Sequence, residues 1–255
     1  MHSFVVFIQK EWMEIVRTKK LFILLCVFSM FGIIAPLTAR YMHEIIALAM
    51  GDTPLPFEIP PATWIDGWSQ FYSNMTQMGI FCIIFLFMSC VTGEKQSGSA
   101  SLTLTKNLSH TSFIMAKFVT ASAVICLSFL LSVLICFGYT HLLFGYAGAV
   151  TDILLGAIAY AIFSLTLLAI VVLTSTMAKS TAISALLAFA SFILLTILTH
   201  VPHIGSVMPG VLLSKPVELS AGAAYSGIIG AVIVSVCISA LCLYGSVWSL
   251  KKQEV

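Results

Sequence analysis

Few residues in this chain could do chemistry, and most of them stand outside its long apolar runs. Near the start, Lys10, Glu14 and Arg17 recur at i, i+4 and i+7, so a helix would carry them along one face as an ion-pairing row. Further on, Glu94 and Lys95 precede Gly98, and Lys106 follows shortly after. Groups of this kind make charge-assisted contacts to a partner and do not by themselves break or form covalent bonds. No GxxxxGK[ST] loop, HExxH helix or GxSxG turn occurs, so the chain cannot hydrolyse ATP by the P-loop route and lacks the usual hydrolase machinery. No acid or base lies well inside an apolar run, where a proton relay would need one. The chain is expected to have no catalytic residues. His200 and His203 stand at i, i+3 near Met208, with His141 elsewhere, but no carboxylate or cysteine completes a ligand set. No metal site is expected.

A second group is polar and uncharged. Gln70, Asn74 and Gln77 share a helical face, with Ser69, Ser73 and Thr76 beside them. The apolar run that follows, Met78 to Val91, is 14 residues, about 21 Å of helix, too short to cross a bilayer core of about 30 Å. The polar stripe must therefore complete the crossing and face protein or a watery path, or else the span starts late and the stripe bathes in outside water or joins two helices. Ser184, Ser191 and Thr196 punctuate another apolar run. Gly227, Ala231, Ser235 and Ser239 recur at four-residue spacing, the mark of close helix packing in membranes.

These residues must be positioned by membrane-spanning helices. Of 255 residues, 60% are hydrophobic and 9% are charged, against about 25% charged in a soluble domain, and mean hydropathy is +1.07. A soluble protein is excluded. Spans are expected at 21–40, 71–92, 118–144, 153–176, 181–199 and 225–250. With the N-terminus inside, Lys10, Arg17, Lys19, Lys20, Lys95, Lys106, Lys117, Lys179, Lys251 and Lys252 are cytoplasmic, and only Arg40 and Lys215 lie outside. That distribution obeys the positive-inside rule with both termini cytoplasmic. The seven cysteines all fall in apolar stretches and read as packed thiols. No cleavable signal peptide is expected at the start.

On a 3.6-residue period Phe4, Val5, Ile8, Trp12, Ile15 and Val16 form an apolar face opposite Lys10, Glu14 and Arg17. The first twenty residues are therefore expected to lie in the membrane interface, with the polar face open to a cytoplasmic partner. The fold class is an all-α integral membrane protein, six transmembrane helices preceded by an amphipathic interfacial helix. An outer loop at 41–70 is stiffened by Pro54, Pro56, Pro60 and Pro61. The stretch 200–224, rich in glycine and proline, is expected to dip back toward the membrane.

Two segments carry a resemblance. Lys10-Glu11-Trp12-Met13-Glu14 with Arg17-Thr18-Lys19-Lys20-Leu21 resembles the elbow-helix entry of ABC-2 type permeases, the membrane subunits of ATP-driven exporters. Thr92-Gly93-Glu94-Lys95-Gln96-Ser97-Gly98-Ser99, running through Leu102 and Asn107-Leu108-Ser109 to Lys117, is similar to the family's cytoplasmic pattern between spans 2 and 3. Pro36-Leu37-Thr38 and Tyr41-Met42-His43-Glu44-Ile45 resemble the end of the first span in short bacterial members. Ser99-Ala100-Ser101 is smaller and more polar than is usual there, and His110 stands where an arginine is common.

The resemblance spans essentially the whole chain and implies one ABC-2-type transmembrane domain, 1–255, with an elbow at 1–20 and a coupling loop at 93–117. It implies two ABC ATPase subunits as partners, which carry the ATP and Mg, and no cofactor on this chain. A second permease copy, identical or related, and membrane lipid complete the expected partners, with no nucleic acid and a bacterial plasma membrane location. Glu94, Lys95, Gly98, Lys106, Lys10, Glu14 and Arg17 would serve ATPase coupling. Gln70, Asn74, Gln77, Ser184 and Ser191 would line the translocation route or the dimer interface. The cargo is expected to be amphipathic: a lipid, a drug or an antimicrobial peptide. A secondary carrier or channel, and a membrane scaffold or sensor that binds an ATPase without transport, are the alternatives.

Overall fold

The computed structural model describes residues 2–42, 44, 61–99, 109–202, 204–223 and 227–253. Helix α1 (His2–Arg17) leads through a two-residue corner into α2 (Lys20–Arg40), the first span. The second span is built in pieces: α3 (Trp64–Asn74), a π turn (Met75–Gly79), α4 (Ile80–Phe87) and, after a bend, α5 (Thr92–Gln96). Spans three to five are α6 (His110–Phe144), α7 (Val150–Met177) and α8 (Thr181–Thr199). Two short helices, α9 (Val211–Ser214) and α10 (Pro216–Ser220), return against α7 before α11 (Ile228–Lys252), the last span. Among the described residues, six helices are thus long and apolar enough to cross a membrane.

Lipid tails are as apolar as leucine, so burying leucine gives little net drive for helices to associate in a bilayer; close contact and internal hydrogen bonds supply it. Small residues and hydroxyls accordingly mark the contacts. At the α2–α6 crossing, Gly32 is so close to α6 that a Cβ there would stand 2.7 Å from the Ser132 carbonyl oxygen. One turn away the Ser132 hydroxyl donates to the Phe28 carbonyl at 2.6 Å. Along the α7–α11 contact, Ala231 and Ser235 are fully buried and Ser239 reaches Thr166 at 3.3 Å, so the four-residue stripe of the last span packs against α7. Helix α7 is the centre of the bundle: 72% of its most apolar stretch is buried, against 11% for α11.

Several boundaries differ from those read from hydropathy. Helix α6 begins two turns before Phe118, because the Ser109 side chain accepts from the Ser112 N–H at 3.1 Å and Phe113 and Ile114 in the early turns are fully buried. Lys117 therefore lies inside the helix. The second span begins at Trp64, where the Thr63 N–H donates to Asp66 Oδ2 at 2.7 Å, an N-terminal signature that hydropathy overlooks. The corner between α1 and α2 turns on Lys19, whose φ of 59° is the left-handed conformation that a residue with a side chain adopts at a cost of roughly 1–2 kcal/mol.

The two ends of the bundle are distinguishable. At one end α1, α5, the α7–α8 link and the last turn of α11 meet, with Gln96 donating to the Lys179 carbonyl at 3.1 Å and Lys95 bonded to Gln253. We call this the terminal end. At the other, Trp68 donates to the Ala147 carbonyl at 3.0 Å, tying the start of the second span to the α6–α7 link.

Gly32→Val should force α2 and α6 apart and lower stability by about 1–3 kcal/mol. Gly138→Val, where nothing lies within 4 Å of a Cβ, should be tolerated. Melting of the two purified variants in detergent checks the contrast.

Candidate functional site

The charged residues singled out by spacing converge at the terminal end. Lys10 of α1 stands 2.5 Å from Glu94 Oε1, 3.0 Å from Glu11 Oε1 and 3.2 Å from Glu14 Oε2. Lys117 of α6 completes the cluster, 2.9 Å from Glu11 Oε2 and 3.1 Å from Glu94 Oε1. The Lys117, Glu11 and Glu94 side chains are only 3%, 6% and 10% exposed, so one cation and two anions from three separate elements are held nearly out of water, with Lys10 and Glu14 half-exposed at the rim. The second carboxylate oxygen of Glu94 is buried with no hydrogen-bond partner among the described residues.

An apolar wall surrounds the charges. Phe7 and Phe113 pack at 5.5 Å between ring centres, and the Lys10 and Lys117 ammonium groups lie 5.1 Å from the Phe7 and Phe113 rings respectively. Val91, Ile114, Val172 and Leu250 close a small core joining α1 to the second, third, fourth and last spans. The low-dielectric surroundings strengthen each pair and make each unpaired charge costly. Burial by itself would lower the Lys10 pKa, but its hydrogen bond to Glu94 and the charge of Glu11 outweigh burial, and the pKa is raised. A raised lysine pKa contributes stability that is complete at neutral pH and disappears only as pH climbs beyond the ordinary lysine range, so Lys10 does not switch near neutrality.

A second lock lies beside the first. The bend at 88–91 frees the N–H groups of Val91 and Thr92, and both donate to the Ser175 hydroxyl at 3.0 Å. The Thr92 hydroxyl donates to the Ser175 carbonyl at 2.5 Å, and Lys95 donates to the Thr176 carbonyl at 2.8 Å. Two residues past α5, Gly98 has a φ of 71°, a left-handed conformation in which a larger residue is strained.

The side chains expected to address a partner are thus distributed unevenly. Glu94, Lys95 and Lys10 direct their charges at their own chain, Glu14 lies at the edge of the cluster, and Arg17 is exposed one turn further on. Lys106 lies outside the described residues. Three residues that spacing did not single out prove central: Glu11, Phe7 and Ser175. Glu11 and Phe7 share with Ile15 the most buried face of α1, the side packed on the bundle, while Val5, Met13 and Trp12 are exposed away from it. The run Thr174-Ser175-Thr176 at the end of an apolar span was the available signal for Ser175. Glu11, Glu14 and Glu94 have the spacing of a cation site, and the cation among them is the Lys10 ammonium, within 3.2 Å of all three.

The polar stripe of the second span is divided. Gln70 pairs with Asn74 at 3.0 Å, whereas Gln77, in the π turn, pairs with Ser73 at 3.0 Å. Ser184 is fully buried on the face of α8 that also buries Ala185 and Ala188; Ser191 is partly exposed and donates to the Leu187 carbonyl at 2.8 Å. His141 stacks on Phe137; His203 lies outside the described residues.

A family model described as ABC-2 family transporter protein matches residues 5–218, a range that holds α1, both locks and five of the six spans. The chain belongs to the ABC-2 transporter family. It is also 30% identical over 140 residues to the "Uncharacterized transmembrane protein YxlG" of Bacillus subtilis (strain 168), a stretch covering 54% of each protein, so the match spans about half of that relative's length. The fold agrees with this membership: an all-α, multi-pass membrane protein of six spans. Family members are membrane components of transporters, and an ABC ATPase is their general partner.

Lys117→Met should leave two buried carboxylates short of a cation and destabilise this ABC-2 chain by about 3–5 kcal/mol. Adding Glu11→Gln to it should recover part of that loss. Detergent melting measures both, with the exposed Lys251→Met as the reference; equal losses for Lys117→Met and Lys251→Met would disprove the lock.

Proposed function

We propose that this chain is the permease subunit of an ATP-driven exporter. Two copies, or one copy and a related permease, enclose the route, and two separate ABC ATPase subunits carry the ATP and Mg. The observation that supports this reading best is the buried ionic cluster. It makes α1, the end of the second span and the start of the third one mechanical body, so a push on the segment after Gly98 reaches three elements together. Glu94, Lys10, Glu14 and Lys95 then act behind the contact surface as its brace. Arg17, Gly98 and Lys106 belong to the surface itself.

Both termini are cytoplasmic in this reading, and the membrane is a bacterial plasma membrane. The lysine-rich terminal end supports that orientation. The outward face of the fifth span, where Leu186, Ile193 and Leu194 are exposed, suits a second copy. Uncharged hydroxyls and amides on the second span suit an amphipathic cargo such as a lipid, a hydrophobic drug or an antimicrobial peptide.

The test is reconstitution. The chain should co-purify with a P-loop ATPase, and in liposomes cargo should stimulate ATP hydrolysis. Glu94→Gln should cut that stimulation by about tenfold, some 1.4 kcal/mol in the rate-limiting step, with the complex still assembled. Cargo movement by the chain alone, without ATP, would replace this reading with that of a carrier or channel.

A further inference from the structure

At the end of the bundle away from the ionic cluster, the second span and the two short helices α9 and α10 line an open cavity of about 210 Å³ with mixed polar and apolar walls. Tyr72, Ser73, Thr76 and Gln77 form its wall on the second span, with Ser69 at one edge, and Leu213, Ser214 and Val217 close the opposite side. The volume is far above the roughly 10–15 Å³ that one water needs, and below the roughly 300–1,000 Å³ of a pocket that swallows a drug-sized ligand. It fits part of a molecule. Among the described residues no charged side chain lines it, and the neighbouring Lys215 and Glu218 pair with each other at 2.5 Å.

Three independent features set this wall apart from ordinary helix packing. Thr76 and Gln77 belong to the π turn, a distortion that recurs at functional sites in helices. The Tyr72 hydroxyl, almost wholly buried, has only a long 3.4 Å contact to Ser220. Behind Tyr72, with ring centres 5.9 Å apart, the Tyr160 hydroxyl is fully buried and meets Thr76 of the same wall in no more than a loose contact. Gly156 keeps the site compact, because a Cβ there would collide with the Ser220 hydroxyl and the Pro216 carbonyl. Hydroxyls left this poorly satisfied in a membrane protein have capacity for a ligand's hydrogen bonds.

The surroundings indicate what kind of molecule. Gln77 and Ser69 are exposed at the cavity mouth, and the next residues along the same span toward the terminal end, Met78, Phe81 and Phe85, are exposed and apolar. We propose that this cavity binds the neutral polyhydroxyl headgroup of an amphiphile, a sugar- or glycerol-headed lipid, whose acyl chain lies along Met78, Phe81 and Phe85. The absence of charge selects against anionic phospholipid headgroups; the many hydroxyls and amides select for a headgroup that both donates and accepts. The site deepens the transport reading by naming a cargo class, yet binding can be measured without ATP or an ATPase, so either idea can fail alone.

The experiment uses the full chain in phosphatidylcholine nanodiscs with a photoreactive glucosyl-diacylglycerol, reading labelling of peptides from residues 69–77 and 211–217 by mass spectrometry. Labelling should saturate and be competed by unlabelled glucosyl-diacylglycerol. Diacylglycerol lacking the sugar, phosphatidylglycerol and free methyl glucoside should compete poorly. Tyr72→Phe, Thr76→Val and Gln77→Leu should each weaken binding about two- to tenfold, the loss of one neutral hydrogen bond, while the unliganded melting temperature stays near that of the parent. Equal competition by diacylglycerol or methyl glucoside, preference for phosphatidylglycerol, or unchanged labelling in all three variants would overturn the proposal.

Discussion

The structure depends on charges that cannot be left alone. Glu11, Glu94 and Lys117 are almost fully shielded from water, and each is tolerable only while the others are in place. Removing water from a carboxylate or an ammonium costs several kcal/mol, recovered only by a close counter-charge in good geometry. These residues lie on three elements far apart in the chain, so the arrangement forces those elements to assemble together or not at all. That requirement explains several local features. Helix α6 must start early enough to place Lys117 two turns in, α5 must bend to bring Glu94 inward, and α1 must rotate its Glu11 face onto the bundle. The bend in turn would leave two backbone N–H groups unpaired, and Ser175 accepts from both.

The two ends of the molecule are built on different principles. The terminal end is dense in charge pairs and backbone locks and behaves as one block. The other end relies on small-residue contacts, single hydroxyl bonds and an uncharged cavity, with a widened helical turn in its wall. A stiff end and an adaptable end suit a protein that receives force at one side of a membrane and meets a greasy, variable molecule at the other.

How much of this could be read from the residues depends on the range of the physics involved. Hydropathy is local, and it finds the six spans because each must be apolar over about 20 consecutive residues. The fifth span, Thr181–Thr199, coincides with the expected bounds because a Ser180 cap and a C-terminal turn coincide with the apolar edges. The side of α1 that meets the bundle was hidden for the opposite reason. A carboxylate at position 11 counts as solvent-facing until its partner 106 residues away is known. Ser175 escaped notice because a hydroxyl in a span usually bonds to its own preceding turn, as Thr176 does to the Val172 carbonyl. The polar stripe from Gln70 to Gln77 was visible, but its division was not, since a 3.6-residue period contains no signal for a π turn.

The corner at Lys19 gives α1 a mechanical property that contact distances do not describe. Only Thr18 and Lys19 separate two rigid helices, and the Ile23 N–H bonds back to the Lys19 carbonyl at 3.0 Å, so the corner is a stiff knee with its pivot at one residue. The sixteen residues of α1 form an arm of about 24 Å at 1.5 Å per residue. A swing of roughly 10° at the knee would carry the N-terminal tip through about 4 Å, and because Lys10 and Glu11 are tied to Glu94 and Lys117, α5 and the start of α6 would have to move with it. The tip of α1 is a natural pointer, the place where an angular change too small to see in the spans becomes a distance that a spectroscopic ruler can measure.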